Sequence, residues 1–454
     1  MYSIEQLIFE SGERFPMLLD EDGMPDFWAT LYTSNNLRAL TQTSITSILR
    51  SINHFYKWQQ AFGRDLFQEI NEGKVPDSNF VISLKEFCGM RDDLIQNRFF
   101  SERQKKVINL LDLKLAIISV HNQVGSDYQS RRMSDISLFI DFVGREIVRR
   151  KSNAEKLLGA LHNLGREFKS NLPKSTYGRN NRALPHAEKK AFDDFMDLFE
   201  IDSIRNPFKN EGLKLRNYIL IQLLFLTGFR SGEVLSITLD DIGSDTEYPV
   251  VSVKRNHDDK NDSRRFQPVA KTIGRGNQIT PKLLESIDKY IFKVRGKFEA
   301  AKKHPYLLIS HKGKSAGQPL SNSTFYNRVI LTAKKVNFEE FKLVRRHGFR
   351  HYFNERLSDK IDSFNEAIEL EMASALEKNE QIKAAHLKSQ LITEKKEIEM
   401  RMLLNGHTNE SSAIIYLERH TKRKAQRVHK EMMQDTSKKI NEIKRQKKQK
   451  YDQT

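Results

Sequence analysis

The sequence predicts a mainly α protein with a small antiparallel β-sheet, built as a helical N-terminal domain and a mixed α/β C-terminal domain. Three observations carry that prediction. Apolar residues recur at three- and four-residue spacing through the first third of the chain, where glycine and proline are scarce and strand alternation is absent. The composition then turns polar and basic at KSNLPKSTYGRNNRAL, residues 169–184, with Pro173 and Gly178, as expected of a linker. Beyond it, a nearly all-apolar run from Tyr218 to Leu226 precedes a β-rich segment with a polar turn.

Taken in order, residues 1–23 read as an irregular lead-in, because Pro16, Asp20 to Asp22 and Pro25 interrupt any pattern. Residues 24–170 read as the helical domain. One helix begins near Thr41, which with Thr43 or Ser44 is a candidate cap, and carries Ile45, Ile48, Leu49, Ile52 and Phe55 on one face. Further apolar-periodic pieces cover Phe80 to Phe87, Val107 to Val120, Ile136 to Val148 (preceded by Arg131 and Arg132) and Ala154 to Phe168. Residues 171–183 form the linker and residues 184–430 the second domain. There, His186 to Phe199 is amphipathic, and Tyr218 to Leu226 is too short to span a bilayer and reads as a buried helix that Gly228 stops. Tyr248 to Lys254 reads as a strand, Asn256 to Ser263 as a turn and Phe266 to Thr280 as the return strand. Pro281 suits the first turn of a helix running to Val294, His304 to Ile309 is a candidate short strand, and Ser321 to Val336 is helical. Residues 359–404 are rich in Glu, Lys, Ala, Leu and Ile without proline or glycine, which favours one or two long exposed helices. Residues 431–454, with KRQKKQK at 444–450, read as a basic tail, disordered until it meets a phosphate backbone.

Composition narrows the partner class. Across 454 residues, 76 lysines and arginines face 59 acidic residues, a net charge of +17 that marks a polyanion-binding protein, most often one for nucleic acid. Cys88 is the only cysteine, so neither an intrachain disulfide nor a thiolate metal cluster is expected, and a reducing cytosol fits. The start MYSIEQLIFESGERF lacks a basic segment followed by an apolar core, so no secretory signal is expected, and no stretch reaches membrane-spanning length. A cytoplasmic protein without a membrane partner is the expectation.

The chemistry concentrates in separated short stretches. LTGFRSGEVLSITLDDI places Arg230 and Glu233 three apart just past the buried helix. RRHGFRHYF places His347 and Arg350 on one side of a helix. LLNGHTNESSAIIYLERH places His407 beyond a Gly406 stop and Tyr416 inside the next helix. The β-hairpin between them carries Lys271. Two guanidiniums can grip the non-bridging oxygens of a phosphate and stabilise added charge in a pentacoordinate transition state. A tyrosine hydroxyl, with a free pKa of about 10, needs such a cationic setting to act as a nucleophile. Histidines can relay protons, and a lysine can protonate a leaving oxygen. The set needs no metal, and no acidic cluster has metal-ligand spacing.

In this order and spacing the stretches resemble the tyrosine recombinase family, the phage-type integrases, over roughly residues 184–425. LTGFRSGEVLSITLDDI is similar to its first arginine box, HGFRH to its His-x-x-Arg box, and LLNGH with Tyr416 nine residues on to its last box. The resemblance implies a helical core-binding domain that closes on DNA with a tyrosine-recombinase catalytic domain, and an enzyme for DNA strand breakage and rejoining. Arg230 and Arg350 would clamp the scissile phosphate, Tyr416 would form a 3′-phosphotyrosine, Lys271 would be the general acid, His347 and His407 would assist, and Glu233 would support the first arginine. QPVAKT followed by Arg275 favours Lys271, with Lys254 and Lys260 as rivals because hairpin register is open. Arg131, Arg132 and Arg275 are candidate DNA-contacting residues. No cofactor, neither metal nor ATP, is implied. The implied partners are double-stranded DNA and further copies of the chain, four protomers on two sites. A non-catalytic DNA-binding protein on the same fold and a type IB topoisomerase activity are the alternatives. The chain departs from the family pattern in one large feature: His347 and His407 are 60 positions apart, and the excess is the charged stretch 359–404. That stretch is expected to be an insertion that contacts a partner or a neighbouring protomer.

Overall fold

Local sequence sets the element ends. A computed structural model describes residues 2–100, 123–174, 187–270 and 272–451. It divides into two units, Met1–Ala183 and Leu184–Thr454. The expected helix at Val107 to Val120 and most of the expected linker lie outside the described residues.

The first unit opens with a correction. Residues 1–23 are not irregular: β1 (Ser3–Ile8) and β2 (Arg14–Leu19) form an antiparallel hairpin, with Ser3 opposite Leu19 and Ile8 opposite Arg14. Pro16, which argued against a strand, pairs with Gln6. A two-stranded ribbon tolerates it because each strand leaves one edge without a ladder to donate to. The helices α1 (Gln42–Phe62), α2 (Ser78–Gly89), α3 (Ser126–Val148) and α4 (Ala154–Asn171) follow. The Thr41 hydroxyl accepts from Ser44 N and so caps α1. Leu49, Ile52 and Phe55 of α1 meet Leu84 and Phe87 of α2, Ile136, Phe139 and Val143 of α3, and Leu161 of α4 in one core. Each such fully buried aliphatic or aromatic side chain contributes about 1.5–3 kcal/mol.

Arg131 and Arg132 lie inside α3 rather than before it. Arg131 is exposed, but Arg132 is buried and donates from Nη1 to the carbonyls of Cys88 (3.2 Å) and Met90 (2.9 Å). Arg132 therefore bridges α3 to the end of α2, and its reading as a DNA contact is corrected. The sequence shows where a charge is, not whether it points inward.

The second unit is arranged around α6 (Glu211–Thr227), after α5 (Lys189–Asp197). Leu215, Ile219, Leu220, Ile221, Leu223 and Leu224 of α6 are all buried, so this helix is enclosed on most sides by the core. It ends at Gly228, in the left-handed region at φ 65°. A short helix α7 (Ser231–Ser236) follows, then the antiparallel pair β3 (Val250–Val253) and β4 (Arg275–Gln278), with Val250 opposite Gln278 and Val253 opposite Arg275. The return strand is thus shorter than the expected 266–280. Buried Arg264 explains the difference: it donates to Asp262 and to the carbonyls of Leu235 (2.9 Å) and Leu320 (3.0 Å), tying the connecting segment into a loop. The segment His304 to Ile309 is likewise no strand: it makes only isolated bridges, Thr238 to Tyr306 and Ile309 to Pro319.

Pro281 occupies the first turn of α8 (Pro281–Lys293). The chain then reaches α9 (Gly348–Glu377), α10 (Gln381–Gln390), α11 (Glu394–Asn405) and α12 (Ser411–Tyr451). The charged stretch is therefore no separate insert at its start: its first helix continues the one that carries Arg350. Ile368, Ala375, Ala384 and Leu387 give its tip a small core of its own. The basic tail, read as disordered, is helical through Tyr451. Its Lys, Arg, Gln and Glu are strong helix formers, and neither glycine nor proline interrupts them.

Candidate active site

The ends of four elements converge: the stop of α6, the start of α9, β4, and the turn between α11 and α12. Glu233 is their hub, with no exposed surface. Its Oε2 accepts from Arg230 N (2.8 Å) and Arg275 Nη2 (2.9 Å), and its Oε1 from Thr272 Oγ1 (2.7 Å) and Arg230 Nη1 (3.2 Å). Burial pushes this carboxyl up, but Arg275 and these hydrogen bonds outweigh it and hold it below the usual range. The carboxylate thus stays ionised among cations, and Arg350 Nη1 lies 3.8 Å from it.

Arg350 is completely buried. Its Nη1 donates to Gly228 O (3.0 Å) and its Nη2 to Asn405 O (2.7 Å) and to His407 Nε2 (2.8 Å). Burial, then Arg230, pulls its pKa down to about 10, which leaves it charged at neutral pH. Arg230 differs. Its side chain is 32% exposed and paired to Glu233 at 3.2 Å, so part of its fork faces outward.

His407 is buried, and burial first, then Arg350, Arg230 and Arg275, pull its pKa down to about 4. It is neutral at pH 7. Because Nε2 accepts from Arg350, the proton belongs on Nδ1, and this buried Nδ1 has no hydrogen-bond partner among the described residues. Tyr416 is 8% exposed and stacks on His407, with ring centroids 6.0 Å apart and planes 8° from parallel. Its hydroxyl is close enough to Arg350 to interact with that charge.

Arg230, Glu233, Arg350, His407 and Tyr416 are therefore brought together. His347 is exposed at the N-terminal end of α9, its ring 4.7 Å from that of His351. His351 in turn lies 5.2 Å from the Tyr416 ring. Sequence reasoning passed over His351, although its place four residues after His347 was a legible signal for a shared helix face. Lys271 lies outside the described residues. Of its rivals, Lys254 is ion-paired with Asp241 at 2.9 Å and Lys260 is exposed.

Arg275 needs correction. Its Nε donates to Leu404 O (2.8 Å), Nη1 to Thr272 Oγ1 (2.8 Å) and Nη2 to Glu233, over the face of Phe229 at 4.7 Å. With a side chain only 7% exposed, it ties β4 to the end of α11 and is not directed at DNA. Gly406 is needed at that junction. Its φ is 64°, and a Cβ there would lie 2.8 Å from Arg275 Nη1 and 2.9 Å from Ile273 O. Among the described residues, no group of three or more His, Cys, Asp or Glu is placed to hold a metal ion. Nor is any helix there long and apolar enough to cross a membrane.

What the arrangement can do is bind an oxyanion beside a tyrosine hydroxyl, with one partly exposed guanidinium, one buried guanidinium and one imidazole N–H as donors.

Known proteins match parts of this chain. Residues 194–370 match the family model described as the phage integrase family. The segment includes Arg230, Glu233 and Arg350 and stops short of His407 and Tyr416. Tyrosine recombinase XerD of Halalkalibacterium halodurans is 26% identical over 159 residues, which is 35% of this chain and 46% of that relative. The chain thus covers about half the length of the curated relative it matches. Among solved structures, XerH site-specific recombinase bound to difH substrate in a pre-cleavage complex aligns with 86% of this chain and 90% of its own, at 15% identity and a TM-score of 0.36. A lambda integrase dimer bound to a COC′ core site aligns with 90% and 93% at 11% identity and a TM-score of 0.30. The chain thus matches the phage integrase family model over residues 194–370 and is similar over part of its length to a tyrosine recombinase.

Proposed function

We propose that the protein is a site-specific DNA recombinase or integrase that cuts and rejoins DNA through a covalent link to Tyr416. The observation that carries this reading is the placement of Tyr416 against His407 and Arg350 of its own chain, with Arg230 held on Glu233 close enough to Arg350 to act on its charge. Arg230 and Arg350 grip the scissile phosphate, and His407 Nδ1–H donates to one of its oxygens. The Tyr416 oxygen bonds to phosphorus as the bond to the 5′ oxygen breaks. The tyrosine proton passes to the imidazole of His351, whose ring is the nearer of the α9 pair to Tyr416, with His347 beside it. Lys271 delivers a proton to the departing 5′ oxygen, leaving a 5′-hydroxyl and a 3′-phosphotyrosine. Attack by a 5′-hydroxyl of a second strand reverses these steps and joins it. The link conserves the phosphodiester energy, so neither ATP nor a metal enters the scheme. Four protomers on two duplexes follow from exchanging two strands in each of two sites. The net charge of +17 supports double-stranded DNA as the partner.

Covalent trapping tests this. Wild-type protein and Tyr416→Phe are incubated with random-sequence duplex DNA, denatured and digested, and the peptides searched for attached nucleotide. A nucleotide on Tyr416 that disappears in the variant is the expected result. DNA binding without any adduct would instead make this a non-catalytic DNA-binding protein.

A further inference from the structure

The chain leaves the site along α9, runs through the charged arm and returns along α11, 55 residues from Arg350 to Asn405. Two facts about that return stand out physically. First, Arg350 rests on it: the acceptor for Arg350 Nη2 is the carbonyl of Asn405, the last residue of α11. His407, two residues on, is the other acceptor of the same nitrogen. Second, α11 is held against α9 here by a buried polar network rather than by apolar packing.

Arg401 is the centre of that network, with no exposed surface. Its Nη1 crosses to α9 and donates to the Asn354 carbonyl (3.0 Å) and to Asn354 Oδ1 (2.9 Å). Its Nη2 donates to Glu397 Oε1 (2.5 Å) and to the Ser358 hydroxyl. Asn354 Nδ2 donates to the Arg350 carbonyl (2.8 Å), and Asn405 Nδ2 donates to Asn354 Oδ1 (2.9 Å) and to the Arg401 carbonyl (3.0 Å). Asn354, Ser358 and Asn405 are all at most 1% exposed. A buried ion pair is a poor source of net stability, because desolvation offsets the attraction. What directional bonds add over an apolar contact is register: sliding or turning α11 by one residue breaks together those that cross to α9, from Arg401 to Asn354 and Ser358 and from Asn405 to Asn354. That slide would also carry Asn405 O and His407 away from Arg350.

We propose that Arg401 is a positioning residue for the active site. Acting through Asn354 and Asn405, it fixes the register of α11 on α9 and thereby seats Arg350 against His407. The base of the charged arm is then part of the catalytic geometry, and strain applied to the arm reaches Arg350 through one fork of hydrogen bonds. The proposal deepens the recombinase reading and rests on it for the role of Arg350.

Two full-length variants test it. Arg401→Lys keeps a cation beside Glu397 but cannot reach Asn354 and Ser358 together. The double variant R401M/E397M replaces the buried pair with apolar side chains of similar length, so that no buried charge is left unpaired. Folding is checked by urea unfolding, His407 by titration of its imidazole nitrogens in NMR, DNA affinity by anisotropy and Tyr416 adduct formation by trapping, both on random-sequence duplex DNA. Expected are folded proteins with unchanged DNA affinity. The His407 pKa should rise from about 4 toward the 6.5 of a free imidazole as Arg350 moves off it. Adduct formation should slow about 10- to 100-fold, as for a misplacement of about 1 Å. A merely structural Arg401 would lower the unfolding midpoint yet leave His407 and the adduct rate as in wild type. That result in either folded variant overturns the proposal. If wild-type protein forms no adduct while His407 still shifts in the variants, the positioning role stands and the recombinase reading falls.

Discussion

His407 lies buried beside Arg350, Arg230 and Arg275, and its neutrality has a measurable consequence. Its folded pKa of about 4 is below the 6.5 of an unfolded histidine. Above pH 6.5 neither state binds the proton, so the site carries no titration penalty. As pH falls from 6.5 toward 4, the unfolded chain binds a proton that the native state refuses, and stability falls. The full loss is about 3 kcal/mol for a shift of this size. Urea unfolding of wild type and His407→Gln should therefore give a steeper acid loss for wild type by about that amount, the other titrating groups being common to both. Equal slopes would mean that His407 titrates in the fold as it does in the unfolded chain. At this scale the sequence pointed to side chains that the fold brings together where they lie in short local patterns. Arg230 with Glu233, His347 with Arg350, and Tyr416 nine residues after His407 are each local patterns. It misread Arg132 and Arg275, since the direction of a long cationic side chain is set by the carbonyls and carboxylates that tertiary packing brings to it.

The arm formed by the distal part of α9 with α10 and the start of α11 divides at Asn365. There the Asn365 side chain makes two reciprocal bonds to Ile392, Nδ2 to O and N to Oδ1, each 2.9 Å. Beyond that clamp lies the small tip core of Ile368, Ala375, Ala384 and Leu387, and below it the network around Arg401. Excising residues 366–391 and closing Asn365 to Ile392 with a short glycine-rich turn spares the network. The expected outcome is unchanged adduct formation at a single site, together with reduced joining of two duplexes, measured by gel as recombinant product. Full strand exchange by the excised protein would remove the tip from any contact between protomers. The helices of the arm were legible from composition alone, because Glu, Lys, Ala and Leu without glycine or proline leave few other options. That the first of them is the Arg350 helix prolonged, and that the third carries a site-positioning arginine, was not legible. Both depend on which helix face meets which.

On the scale of the whole molecule, the excess of basic over acidic residues should appear as salt-dependent DNA binding. Each DNA phosphate neutralised adds about 0.9 to the slope of log affinity against log salt. Truncation after Asp435 removes KRQKKQK and should reduce that slope by about 0.9 for every phosphate the tail contacts, read by anisotropy on a fixed duplex over a salt series. An unchanged slope would place the tail away from DNA. The helical state of the tail through Tyr451 does not alter this expectation, since the charge count is the same in either state.

Local physics was enough to fix several features from residue order: the stop at Gly228 after a buried apolar run, the proline start of α8 and the turn at Gly406. Each depends on conformational preference or bond chemistry within a few residues. Three-dimensional packing alone decided that Glu233 holds two arginines and a threonine at once, that Arg275 is scaffold, that His351 joins the tyrosine, and that Arg350 rests on a carbonyl 55 residues away. Those outcomes turn on distances between segments remote in sequence, which are set by how a whole core closes and are written in no single stretch of the chain.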